Sequence, residues 1–185
     1  ALVAGETPAL NAFPPSTVRV IAELAERAGP GTDGKGDITA IYSVLVAGSD
    51  MEEPVADMIR GILDGHIILA RDIAERGRYP AIDILRSVSR SLPHAATDEE
   101  NTLIRECRRM FALHEEIAPM LRANLYEFGK DAEADKAIAL FSLLDKYAGT
   151  RNESGIEAAF TRLEDILKSE DGPEIQTMPV TPIEL

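Results

Sequence analysis

Apolar residues recur at helical spacing from Val18 to Ala28 (VRVIAELAERA), and Gly29-Pro30-Gly31 closes that stretch. The next apolar run changes character. Asp37 to Val46 (DITAIYSVLV) is rich in Ile, Val, Thr and Tyr, which predicts a buried strand. Pro54 then opens PVADMIRGIL, a predicted helix that closes at Asp64-Gly65; Pro suits a first turn because its missing N–H has no intrahelical partner there. His66–Leu69 predicts a short apolar strand, and Arg71–Arg76 a short helix stopped by Gly77. Strands alternating with helices at this spacing predict an α/β sheet with parallel strands. Two strands make too small a parallel sheet to stand alone, so its remainder is expected upstream of Ala1. The missing initial Met, and the run from Ala1–Ala9 into Phe13-Pro14-Pro15-Ser16, point the same way.

After about Pro93 the pattern turns wholly helical. Thr97-Asp98-Glu99-Glu100 reads as a capping box, followed by Leu103, Cys107, Met110, Ile117 and Leu121 on one face. A second helix is predicted from about Ala134 to Ala148, with Ile138, Phe141, Leu144 and Tyr147 as its stripe. Ser154 and Glu157 form another capping box, before Ile156, Phe160, Leu163 and Leu167. The chain thus divides into an α/β part over residues 1–95, an α-helical domain over 96–170, and a Pro-containing tail over 171–185 that is expected to be disordered. No internal repeat is evident.

Composition narrows the function classes. The 185 residues carry a net charge of −13, which argues against a nucleic-acid partner, because phosphate binding calls for Lys/Arg clusters. The acid is uneven: residues 95–185 hold 19 acidic against 10 basic side chains, residues 1–94 hold 13 against 9. The C-terminal half is expected to attract a basic partner. No apolar run reaches the ~18–20 residues that span a bilayer. The single cysteine, Cys107, leaves no internal disulfide, and a cytoplasmic location follows as the expectation.

Several motifs fail on their chemistry. Gly29-Pro-Gly-Thr-Asp-Gly34-Lys35-Gly36 nearly spells a phosphate-binding loop, yet Gly36 stands where a Mg²⁺-binding Ser or Thr is needed. This loop also follows a helix and precedes a predicted strand, whereas the motif opens a helix. It reads as a flexible connection. His66, His94 and His114 lack partners at ligand spacing, apart from Glu115-Glu116, and read as structural; no metal site is expected. Ser87 and Ser89 have no nearby His base, so a hydrolase triad is not expected. Asp64 and Asp83 read as turn and cap residues.

One constellation carries more. Asp37-Ile-Thr-Ala, Val44-Leu45-Val46, Asp50 and Pro54 are followed in order by Leu63-Asp64-Gly65-His66-Ile67, Tyr79-Pro80-Ala81-Ile82-Asp83 and Ser87-Val88-Ser89-Arg90. With Ala4-Gly5-Glu6 and Phe13-Pro14-Pro15-Ser16, this series resembles the C-terminal portion of the flagellum-specific and type III secretion ATPases, of the rotary F-type family. The resemblance is close over residues 1–95. It is looser over 96–170, where Gly129-Lys130-Asp131 and Asp135-Lys136-Ala137-Ile138 still fit.

The resemblance implies the C-terminal end of a RecA-like P-loop core followed by a small α-helical domain. It implies a ring, likened to a hexamer, that binds ATP and Mg²⁺ at subunit boundaries. The phosphate loop, catalytic Glu and Mg²⁺-binding Asp of that family have no counterpart in this sequence, so the chain alone is expected to be inactive. Arg90 takes the position of the arginine that reaches the neighbour's γ-phosphate; a guanidinium stays charged and offers phosphoryl oxygens a planar fork of donors. By residue type alone, an Arg closing a strand-like run reads as a surface or salt-bridge residue. Tyr79, before Pro80, takes the position that stacks on adenine, a contact of about 1–3 kcal/mol. Asp50, Glu52 and Glu53 fall in the loop that faces the ring's central hole; Ser49 replaces an acid common there, and Asp37 a commoner Ser. Implied partners are identical subunits, export substrates and their chaperones, a coiled-coil stalk, and a membrane export gate that the cytoplasmic ring touches peripherally. An injectisome ATPase, an ATP synthase catalytic-type subunit, and a non-catalytic module docking substrates or a stalk remain alternatives.

Overall fold

The computed structural model describes residues 16–32, 34–46, 53–151 and 154–169. Their elements run α1 (Ser16–Ala25), α2 (Pro54–Ile62), β1 (Gly65–Leu69), α3 (Arg71–Glu75), β2 (Ile82–Ser89), α4 (Asp98–Arg122), α5 (Ala132–Ala148) and α6 (Ile156–Lys168). The chain forms two compact units, Ala1–His66 with Val88–Ser91, and Ile67–Ser87 with Leu92–Leu185.

In the first unit α1 and α2 form where the apolar spacing predicts them, Pro54 opening α2. The predicted strand Asp37–Val46 does not form. Ile38 makes one antiparallel bridge with Gly29, and Ile41 and Leu45 are 91% and 96% exposed. β-branched residues fit a pleated, half-buried surface, but a strand exists only where a neighbour completes its ladder. Among the described residues none lies alongside this segment beyond that bridge. Tyr42 is tied down separately, its hydroxyl donating to the Leu24 carbonyl at 2.9 Å.

β1 and β2 make a two-stranded sheet; β2 is not one of the two strands predicted, and the sequence marked it only as a strand-like run closed by Arg90. The expectation of parallel strands is corrected. Arg90 N–H donates to the Asp64 carbonyl and Ala70 N–H to the Ala81 carbonyl, so the strands run antiparallel. The connection, residues 70–81, is at the lower limit of what a parallel crossover needs, and α3 takes up only five of its residues.

In the second unit three helices surround one core. Cys107, Met110 and Phe111 of α4 meet Ala137, Leu140 and Leu144 of α5 and Leu163 and Leu167 of α6. The capping box at α4 forms as predicted, Thr97 accepting from Glu100 N–H while the Glu100 carboxylate accepts from Thr97 N–H. The α5 stripe is rotated from the predicted one: Ala134, Ala137, Leu140 and Leu144 are buried, and Phe141 and Tyr147 pack at its margins. Small Ala137 is wholly buried in the core cluster, a place that a search for large apolar residues passes over. At α6 the predicted Ser154/Glu157 box is replaced by Gly155 as N-cap, with φ at 90° and no side-chain cap bond; that left-handed geometry suits glycine. Arg108 of α4 donates to the carbonyls of Ile84, Leu85 and Ser87, satisfying backbone groups that a two-stranded sheet leaves open.

Candidate functional site

Arg90 directly follows β2, in the first unit, and its side chain folds onto the end of α2. Nη2 donates to the Arg60 carbonyl at 3.0 Å and Nη1 to the Gly61 carbonyl at 3.2 Å. These carbonyls belong to the last turn of a helix, where backbone acceptors lack intrahelical donors and the helix dipole is negative. A guanidinium is a natural occupant of such a place. Among the described residues two of its five N–H donors find acceptors, and the side chain is exposed.

The same residues open onto a shallow cleft of about 310 Å³ lined by Asp57, Arg60, Gly61, His66, Val88 and Arg90. Arg60 Nη2 contacts Asp57 Oδ1 at 2.8 Å. Gly65 lies where the chain passes close to β2: a Cβ there would meet the Val88 carbonyl oxygen at 2.5 Å. Glycine therefore permits the close pairing that leads into Arg90.

Tyr79, in the second unit, is 66% exposed, but the backbone beneath it is anchored. The neighbouring Arg78 side chain is buried. Its Nε sits 2.9 Å from Asp145 Oδ1, an ion-pair distance outside hydrogen-bond alignment, and its Nη2 donates to the Ile82 carbonyl at 2.8 Å. Gly149, after α5, packs against the Arg78 stem and the Tyr79 carbonyl. An exposed ring on a fixed turn can offer a flat face to a planar ligand.

Of the acidic loop, Asp50 and Glu52 lie outside the described residues, and Glu53 is the N-cap position of α2. The residues predicted to be disordered, 171–185, also lie outside. Gly29–Gly36 places no phosphate cradle: Gly31 N–H donates to the Asp37 carboxylate at 3.1 Å, so Asp37 occupies a donor that an anion would need. Ser87 is used structurally, its hydroxyl accepting from Ile68 N–H and donating to the Asp83 carbonyl. His114 lies flat on Phe141 with ring centroids 3.5 Å apart. Cys107 is buried, and desolvation pushes its thiol up to about 11.

Residues 1–89 match the ATP synthase alpha/beta family, nucleotide-binding domain. The chain is 39% identical over 170 residues to the flagellum-specific ATP synthase of Helicobacter pylori, covering 90% of this chain and 39% of that protein. It is 47% identical over 138 residues to the SPI-2 type 3 secretion system ATPase of Salmonella typhimurium, covering 75% of this chain and 31% of that one. The assembled ATPase EscN from the enteropathogenic E. coli type III secretion system superposes with a TM-score of 0.82 at 37% identity, over 90% of this chain and 40% of EscN. In complex with its central stalk EscO, EscN superposes at 0.77, over 90% of this chain and 39% of EscN. The chain is a homologue of the flagellar and type III export ATPases. It spans about two fifths of the length of these relatives. Its fold is that of the end of a RecA-like core followed by helices.

Within this export-ATPase homologue, pattern reading missed Arg60, Asp57, Arg78 and Asp145. The first two carried a readable signal, an acid and a base three apart on a predicted helix. Arg78 and Asp145 are 67 positions apart in sequence, and no local period could have joined them.

Proposed function

We propose that this chain forms part of an ATPase that couples ATP hydrolysis to protein export by the flagellar type III apparatus. Arg90 acts across a subunit boundary on the neighbour's γ-phosphate, and Tyr79 stacks on adenine. The observation that carries the reading is the Arg90 guanidinium, exposed and fixed on the α2 carbonyls. Such a group is pre-oriented and needs no reorganisation when charge develops on a transferred phosphoryl group. Among the described residues no group of His, Cys, Asp and Glu side chains is placed to hold a metal ion. EscN's complex with a central stalk supports a stalk partner, met by the loop around Asp50, Glu52 and Glu53. Export substrates, their chaperones, identical ring subunits and a peripheral place at a membrane export gate complete the proposal. It also divides the chain into an ATPase part over 1–95 and a helical domain over 96–170. The 47% identity to the SPI-2 ATPase favours an injectisome role as the second reading.

In the full-length enzyme, Arg90→Ala should lower turnover by roughly 10³–10⁵, with much less effect on nucleotide affinity. Arg90→Lys should rescue little, because an ammonium lacks the planar fork. Mixing Arg90→Ala subunits with subunits lacking the lysine of their own phosphate loop should restore activity, since some interfaces then pair an intact loop with an intact Arg90. Mixed rings that assemble and stay inactive would refute action across the boundary.

A further inference from the structure

Arg60 opens onto the same cleft as Arg90, and no role given above uses its side chain. It lies on the last turn of α2. Its main-chain carbonyl accepts from Arg90 Nη2, while its own guanidinium is held three residues back by Asp57. One helical turn therefore grips one guanidinium with its backbone and presents another on a side chain that is 30% exposed. Among the described residues that line the cleft Asp57 is the one acid, and it offsets one of the two fixed positive charges. The cleft stays net cationic in a chain of net charge −13. Like charges held at one opening repel, and an anion between them removes that cost. A phosphoryl group suits them, because guanidinium donors match its oxygens in geometry and charge.

We propose that Arg60 is a second phosphoryl-facing arginine of this surface, acting beside Arg90 on the terminal phosphate of the nucleotide held by the adjoining subunit, with Asp57 as its positioning residue. This rests on the reading of Arg90 given above. Asp57 occupies part of the Arg60 fork and restrains it, leaving its other N–H groups for the ligand. The two arginines then move as one, because both are fixed to the same turn of α2.

The test uses the full-length ring enzyme. Arg60→Gln should lower turnover at saturating ATP roughly 10–100-fold, the worth of a charge-assisted hydrogen bond, with KM changed less than about threefold. ADP binding should persist, while capture of ADP with aluminium fluoride, which mimics the phosphoryl group in transfer, should be lost in proportion to turnover. Arg60→Lys should recover part of the loss, and Asp57→Asn should cost less than Arg60→Gln. Arg60→Gln subunits mixed with phosphate-loop lysine variants should gain activity above either alone; mixed with Arg90→Ala subunits they should gain none, because both lesions sit on one surface. Turnover within twofold of wild type would overturn the proposal. So would a loss of ADP binding together with a lowered melting temperature, the mark of a structural role. If Arg90→Ala complements the loop variant and Arg60→Gln does not, Arg60 is excluded while the Arg90 reading stands. If Arg90→Ala also fails to complement, the shared reading falls.

Discussion

The two compact units use apolar residues in opposite ways. Among the described residues, every buried apolar side chain except Ala56 belongs to the second unit. There Met110, Leu140 and Leu144 are each 1% exposed, and the helices that bury them follow one another in sequence. In the first unit Ile38, Ile41, Val44 and Leu45 face solvent, and α1 buries none of its residues. Helix pairs draw on contacts near in sequence, so the same pattern that forms each helix also supplies its partner. A strand draws on a neighbour that need not be near in sequence at all. Equal hydrophobicity therefore gives a closed core in one region and an open apolar segment in the other.

The strongest way to break this comparison is to truncate one residue on each side of it. Leu144→Ala removes a fully buried side chain from the meeting point of α4, α5 and α6 and should destabilise the helical unit by about 2–5 kcal/mol. Leu45→Ser alters a side chain that is 96% exposed and should move stability by no more than about 0.5 kcal/mol. Denaturant unfolding of the chain followed by far-ultraviolet circular dichroism, which reports the helices, measures both. A Leu45→Ser shift matching that of Leu144→Ala would mean that the open segment is packed after all.

How much could be read beforehand follows the same divide. The helices α4, α5 and α6 and the Thr97–Glu100 box were legible because each signal sits within one or two turns of sequence. In α5 Leu144 is buried as expected, while Ala137 and Leu140 take the buried places expected for Ile138 and Phe141; pattern reading weights bulk, and Ala137 is small. Asp37–Val46 misled because its composition states a preference for pleated surface and says nothing of whether a neighbour is present. At the candidate site, the family resemblance singled out Arg90 and Tyr79. The grip of α2 carbonyls on Arg90 spans 29 and 30 positions and involves main-chain acceptors, which residue identity does not encode.

A smaller effect probes the edge of the helical unit. Asn101, a buried polar residue of α4, directs Nδ2 at the carbonyls of Pro93, Ala96 and Thr97, at 2.8 to 3.1 Å. It closes the loop that leads into α4. Asn101→Ala leaves those acceptors short of a donor and should cost about 1–3 kcal/mol. Asn101→Asp should cost more, because it turns a carboxylate oxygen toward carbonyl oxygens in a buried place. An Asp variant as stable as wild type would show that water reaches these carbonyls and that the loop is not closed by this side chain.

The smallest expected effect asks whether tight packing in the helical unit extends to its margin. His114 of α4 stacks on Phe141 of α5, and burial, reinforced by the Arg76 guanidinium and opposed by Asp145, holds its pKa below the ordinary 6.5. His114 lines a cleft whose charged residues are Arg76, Arg78, Arg122, Asp72, Glu75, Asp83, Glu115 and Asp145. In the unfolded chain the imidazole takes its proton near pH 6.5; in the folded chain it resists until lower pH. The unfolded state thus binds the proton first, and the contribution of His114 to stability is full above pH 6.5. It is lost as pH falls from 6.5 through the lower folded value, below which it is flat. His114→Phe keeps an aromatic ring against Phe141 and removes the titration. Melting temperatures at pH 7.5 and 5.5 should therefore fall further for wild type than for His114→Phe, by a margin smaller than the effects of Leu144→Ala or Asn101→Ala. Equal falls would show that His114 is hydrated in the folded state and that dense packing ends short of the stacked pair.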